Sequence, residues 1–284
     1  MKSDNDHFPS PDIPNRKTHD VYVHFEPFGH TIKAYGDLTG RFPYQSSCRN
    51  QYFLVVYNYN SNAILVELLK SCNGTEIKNA YLTIINRLTT YGCAPSTFIV
   101  DHEVSTDLLT TFRNKNINFQ QVPPEVHRRN AAERAIQTWK NHFIAGLSST
   151  DPSFPISEWD CLVLQGELTL NLLHNARVNP KPYAWAYLFG QFNYNATPLA
   201  PPGIKGIVHV KPHKRASWDP HGVLSYYTGL ALNHYRCYTC YISKTKSKRV
   251  TDTISYLPST IPIPDFTPRD HLQQALDDIV AILQ

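Results

Sequence analysis

Apolar residues along this chain recur at two different spacings, and the change from one to the other marks its elements. The run Thr31-Ile32-Lys33-Ala34-Tyr35 is extended and ends at Gly36-Asp37-Leu38-Thr39-Gly40. Residues 52–59 are almost wholly apolar or aromatic and read as a second strand; residues 63–69 read as a third, joined to it by Asn60-Ser61-Asn62. Short links between successive strands favour an antiparallel meander. Over residues 75–91 the spacing changes to three and four (Ile77, Tyr81, Ile84, Ile85, Leu88), which predicts a helix stopped by Gly92. Residues 97–100 form a fourth strand ending at Asp101, and Ser105 caps a helix running through Arg113. Residues 118–122 form a fifth strand. Pro123-Pro124 ends it, because proline has no N–H for a sheet ladder. A basic loop with Arg128 and Arg129 follows, and then a helix from Asn130 whose apolar stripe is Ala132, Ile136, Trp139, Phe143 and Leu147. The order is β-β-β-α-β-α-β-α.

Further on, residues 157–174 read as one long helix with Trp159, Leu162, Val163, Leu170 and Leu173 on one side, a face for the core or for a dimer. Pro180, Pro182, Pro198, Pro201 and Pro202 mark a linker over 179–203. Short strands over 206–210, 225–228, 235–242 and 249–256 predict a small barrel spanning 204–258. Residues 1–29 are expected to be a disordered or linker lead-in, polar and Pro-bearing over 1–20, residues 30–178 the main α/β domain, and residues 259–284 a linker and an amphipathic helix (Leu272, Leu276, Ile279, Leu283).

With 42% hydrophobic residues and 12% aromatics, the 284-residue chain is rich enough in core formers to be globular and not disordered. Its net charge of +4 is unevenly placed. From Lys205 to Val250 there are six lysines and three arginines against the single acid Asp219, which suits a polyanionic partner. Within that block Lys205, Lys211, Lys214, Arg215, Lys244, Lys246, Lys248 and Arg249 are the candidate phosphate contacts. Six scattered cysteines lack the density of a disulfide scaffold. Cys237 and Cys240 would diverge on a strand, which argues against zinc there. No apolar run is long enough to span a bilayer. A reduced, intracellular setting is expected.

Candidate chemistry lies in the carboxylates. Asp37 and Asp101 end apolar strands, and Glu133 opens the helix that follows the basic loop. If the first and fourth strands are neighbours, their ends come together, where function tends to gather. A plainer reading of Glu133 stands beside this: Asn130 and Glu133 have capping-box spacing, and a carboxylate suits the positive end of a helix dipole.

The segments Tyr35-Gly36-Asp37-Leu38-Thr39-Gly40, Val100-Asp101-His102-Glu103 and Asn130-Ala131-Ala132-Glu133-Arg134 resemble the acidic blocks of retroviral-type integrases, and most closely the integrase regions of copia-type retrotransposons. Pro198-Leu199-Ala200-Pro201-Pro202-Gly203, Arg215-Ala216-Ser217-Trp218-Asp219-Pro220, Tyr227-Thr228-Gly229 and Tyr235-Arg236-Cys237-Tyr238 resemble the barrel that follows the core in those elements. The resemblance implies an α/β, ribonuclease-H-like fold: a mixed five-stranded sheet with flanking helices, then a small C-terminal β-barrel. It implies a DDE-type active site in which Asp37, Asp101 and Glu133 hold two Mg²⁺ (or Mn²⁺) ions, Asp37 bridging them, with Glu103 and Asp107 as alternates. Water as nucleophile would then give 3′-end processing, and a DNA 3′-hydroxyl strand transfer. The resemblance also gives Gln137 and Lys140 a role at the element's DNA end, beside Arg128 and Arg129. Expected partners are double-stranded DNA, further copies of the chain and the remainder of a polyprotein, with the nucleus as the place of action. A metal-dependent nuclease of the same fold and a non-catalytic DNA-binding remnant are the alternative readings.

Overall fold

A computed structural model describes residues 32–100, 105–122, 131–177 and 181–257. The first sheet contains β1 (Lys33–Leu38), β2 (Tyr52–Asn58), β3 (Ala63–Leu69), β4 (Thr97–Val100) and β5 (Asn118–Gln121), in the order β3-β2-β1-β4-β5. The meander β1-β2-β3 is antiparallel, while β1–β4 and β4–β5 are parallel. This is the mixed five-stranded sheet of the ribonuclease-H-like fold.

Strand β2 is apolar throughout because both faces of the sheet are covered. Leu54 and Val56 point to one side, where they meet α1 (Gly74–Thr90) and α2 (Thr106–Asn114). Phe53, Val55 and Tyr57 point to the other, against α3 (Ala131–Ser148) and α4 (Val163–Leu173). On this second side Trp139 stacks on Phe143 with centroids 5.0 Å apart, and Phe53 meets Trp139 edge-on at 5.8 Å. The stripe expected on α3 is the observed one, with Leu147 only partly buried.

Local signals fix the helix ends. The Asn73 side chain accepts from the Glu76 N–H at the start of α1 (2.7 Å). At its end Gly92 takes a φ of 72°, with the Gly92 and Cys93 N–H groups reaching back to the Thr89 and Leu88 carbonyls. That is a Schellman closure, which favours glycine at the left-handed position. Ser105 caps α2 through the Leu108 N–H (3.3 Å). Asn130, the expected cap of α3, lies outside the described residues, as do the lead-in, the basic loop and the last amphipathic helix.

Several details of the expected elements need correction. Strand β1 runs on past Tyr35 to Leu38, so Asp37 is its next-to-last residue. The long helix over 157–174 is two pieces, a 3₁₀ segment Ile156–Leu162 and then α4. The break follows from polar ties: Trp159 donates to the Tyr44 carbonyl (2.9 Å), and Asp160 accepts from the Asn50 amide (2.9 Å). Leu173 is 73% exposed, outside the stripe assigned to it. Where a small barrel is expected, the chain forms a five-stranded antiparallel sheet, β10-β6-β7-β8-β9, made of β6 (Lys205–His209), β7 (Gly222–Leu230), β8 (Tyr238–Ile242), β9 (Ser247–Thr251) and β10 (Ile254–Tyr256). Residues 249–256, expected as one strand, turn at Asp252-Thr253, sending β9 and β10 to opposite edges.

Edge strand β3 is blocked by side chains of α4. Glu167 accepts from the Val66 N–H (2.8 Å), while Asn171 accepts from the Ile64 N–H (2.9 Å) and donates to the Ile64 carbonyl (2.8 Å). A spacing of four on the helix thus meets a spacing of two on the strand, satisfying edge groups that would otherwise invite another strand. Arg87 of α1 neutralises the buried Glu167 carboxylate through both its oxygens. The stretch read as a linker carries α5 (Ala184–Phe189), whose Ala184 and Leu188 join the core beneath α1.

Candidate active site

Alternation along β1 decides what Asp37 faces. Ala34 and Gly36 point to the α1 side, and Tyr35 to the α3 side, so Asp37 shares the α3 side with Tyr35. Gly36 is required for close packing: a Cβ there would come within 2.6 Å of the Tyr81 ring of α1. The ring is itself held edge-on against the stacked pair Phe98 and Phe112, at 5.4 and 5.7 Å. In the parallel pairing Gly36 sits opposite Val100, the last residue of β4. Asp37 follows the one and Asp101 the other; Asp101, His102 and Glu103 lie outside the described residues. Asp37 is half-buried, and its Oδ1 accepts from the Leu38 N–H (2.7 Å).

Helix α3 packs across β1 and β2 and carries Glu133 in its first turn, exposed, one position from the fully buried Ala132. Glu133 and Gln137 line a cleft of about 610 Å³ with Tyr57, Tyr59, Arg134 and Arg177. Lys140 lines a different, apolar cleft of about 380 Å³, beside Arg41, Tyr44 and Ile144. Glu133 and Gln137 thus line one cleft, and Lys140, exposed further along the same helix, borders the next. Of the alternates, Asp107 of α2 is engaged by Lys78 of α1 at 2.7 Å in an exposed ion pair. Arg128 and Arg129 lie outside the described residues.

The basic residues of the second sheet separate into two sets. Lys211, Lys214 and Arg215 lie between β6 and β7, and Lys244 and Lys246 lie between β8 and β9. His209 pairs with Gly222, and Ile242 with both Ser225 and Ser247, so both connections leave the same end of the sheet. All except half-buried Arg215 are exposed. Lys205 is half-buried opposite Tyr226, and Arg249 half-buried opposite Cys240. Lys248 behaves differently. Its chain is largely exposed, yet its ammonium end leans toward Cys161 and Asp160; burial would lower its pKa, but those neighbours raise it.

Glu158, Asp160 and Cys161 are the one His/Cys/Asp/Glu group among the described residues with ligand atoms all within 4.8 Å. Burial pushes the Cys161 thiol up to about 12, against the opposing pull of Lys248, and the lysine already supplies positive charge. This group is a polar joint between the 3₁₀ segment and β9. Asp37 and Glu133, by contrast, offer hard carboxylate oxygens, the donors that magnesium and manganese prefer. All six cysteines are free, and no described helix is long and apolar enough to cross a membrane.

No protein-family model and no curated protein matches the chain. Solved structures similar to it include the HTLV-2 integrase catalytic core domain in complex with magnesium in its dimeric form, at 18% identity and a TM-score of 0.42, covering 56% of this chain and 95% of that one. Another is the simian T-cell lymphotropic virus intasome in complex with PP2A regulatory subunit B56 gamma, at 15% identity and a TM-score of 0.44, covering 82% and 84%. A third is the catalytic core domain of BIV integrase, at 12% and 0.41, covering 55% and 92%. The fold assignment itself stands on strand order and pairing.

Proposed function

We propose that the chain is a metal-dependent polynucleotidyl transferase of the integrase type, derived from a copia-type element, that processes DNA 3′ ends and joins them to target DNA. The observation that carries this reading is the placement of Asp37. It lies on the face of the central strand that α3 covers, one step past the last β1–β4 pair, with Glu133 in the first turn of that helix. Asp37, Asp101 and Glu133 are the residues that would hold the divalent ions. When bound, those ions supply charge neutralisation and activation for in-line phosphoryl transfer. Asp37 contributes a carboxylate fixed by the rigid sheet, and Glu133 one that approaches from solvent. Gln137 extends the contact along α3. The basic end of the second sheet holds the DNA backbone with little regard to sequence. Action as a homo-oligomer on double-stranded DNA in the nucleus belongs to the same proposal.

The test is metal-dependent joining of a labelled DNA end to a plasmid. Joining supports the integrase reading, nicking alone the nuclease alternative, and binding without either the non-catalytic one. Asp37→Asn, Asp101→Asn and Glu133→Gln should each drop the reaction to the protein-free background while DNA affinity stays nearly intact. Substantial turnover by one of these variants would remove that residue from the site, and loss in Glu103→Gln with activity in Asp101→Asn would move the role to Glu103.

A further inference from the structure

The cleft beside Glu133 also contains a prepared cation. Arg177, in the chain after α4, is held against the tip of the β2–β3 hairpin. Its backbone N–H donates to the Asn60 carbonyl (3.1 Å) and its Nε to the Tyr57 hydroxyl (2.9 Å). Its guanidinium lies 4.5 Å from the centroid of the Tyr59 ring. Tyr57 donates its own proton to Asn62 Oδ1 (2.7 Å), and the Asn62 amide donates to the Asn175 carbonyl (2.9 Å). The phenol's acceptor side is thereby kept toward Arg177. Burial raises the Tyr57 phenol, while Arg177 and then, more weakly, Arg134 pull it down, so both cations act on one hydroxyl. Both arginines are exposed, and among the described residues neither forms an ion pair with a carboxylate.

A guanidinium stacked on one ring and bonded through Nε keeps its terminal nitrogens as an outward fork, the geometry that takes two oxygens of one phosphate. Stacking also removes much of the rotamer entropy an arginine loses when it binds. The geometry points to a phosphate subsite: Arg177, set by Tyr57 and Tyr59, takes with Arg134 a backbone phosphodiester of the DNA strand that reaches Glu133. This rests on the transferase reading for the identity of the strand, and adds the residues that hold it. The competing role for Arg177 is a staple tying the hairpin tip to the end of α4.

The experiment uses the full chain in EDTA, where no chemistry occurs, with a fluorescently labelled duplex carrying a single-stranded overhang. It reads the slope of log affinity against log salt. Arg177→Gln and Arg134→Gln should each weaken binding and flatten that slope by about one unit. Arg177→Lys should keep the slope, since the charge stays while the fork is lost. Lys115→Gln, on the far side of the first sheet where Lys115 bonds Asn86 (3.1 Å), should leave both unchanged. Slopes unmoved in both arginine variants would overturn the subsite and leave Arg177 a staple. Should Arg177→Gln fail to fold, Arg134→Gln, on the exposed face of α3, decides the matter alone: a flattened slope supports the subsite and an unmoved one overturns it. Failure of the reaction itself shows separately. A wild-type chain that binds with arginine-dependent slope yet never nicks or joins DNA would overturn the transferase reading and keep the subsite.

Discussion

In the first sheet β2 buries side chains on both faces against helices, with Leu54 and Val55 fully enclosed, whereas in the second sheet β9 has Lys248 and Val250 largely exposed and only Thr251 buried. Tyrosines carry the contact between the second sheet and the core. Tyr226 reaches Ser153 through its hydroxyl (2.8 Å to the carbonyl), and Tyr227 reaches Gln165 of α4 (3.2 Å). The difference separates two kinds of support. A sheet covered on both sides by apolar groups is close-packed and fixes a carboxylate such as Asp37 to within a fraction of a side chain. The second sheet adds apolar contact to those hydroxyl bonds, with Tyr226 and Tyr241 packed beside Phe154 and Trp159 and Leu230 beside Leu168, yet it keeps Lys211, Lys214, Lys244 and Lys246 outward at small cost, since those charges stay in water.

The sharpest way to break the comparison is Trp139→Ala. This side chain is 1% exposed and meets Phe53 and Phe143, so its loss should cost roughly 3–5 kcal/mol. Trp218→Ala, at 99% exposure, should stay within about 0.5 kcal/mol. Chemical denaturation of the two variants measures the gap; similar midpoints would refute the assignment of the core. Next comes Gly36→Ala, where the added methyl meets the Tyr81 ring. Overpacking of this kind costs about 1–3 kcal/mol. Because Asp37 is the next residue, DNA joining should fall further than the lowered melting temperature explains; full activity would show that the ring yields freely. Tyr227→Phe removes one buried hydrogen bond at the joint and should cost about 1 kcal/mol in a thermal melt. A loss as large as that of Trp139→Ala would mean the joint is as tightly packed as the core. Smallest in stability is the pair Lys244→Gln with Lys246→Gln, which should leave the melt unchanged. Each change should lower the salt slope of DNA binding by about one unit if the basic end meets phosphates. An unaltered slope would show that end to face solvent alone.

Much of the candidate site is legible in the chain. Asp37 and Glu133 stand out because one lies at the end of an apolar run and the other opens a periodic one. Arg134 and Arg177 do not stand out. Tyr57 and Tyr59 look like strand residues and Arg177 like the edge of a linker, and no periodicity links positions so distant in sequence. Glu167 and Asn171 are hidden for a similar reason: on a helix read by its apolar residues, two buried polar groups look like breaks in the stripe. Their partners are the edge amides of β3, which sequence does not display.

Local spacing, caps and breakers, which act within a few residues, settle the order of the first eight elements and the ends of α1 and α2. Contacts between distant segments were needed to put β4 beside β1, to break the 3₁₀ segment from α4 where Trp159 and Asp160 find partners, and to send β9 and β10 to opposite edges. They also turn Lys248 toward Asp160 while Lys244 and Lys246 stay in solvent. Each of these depends on the desolvation and pairing of groups far apart in the chain, whose energies exist only once the fold has brought them together.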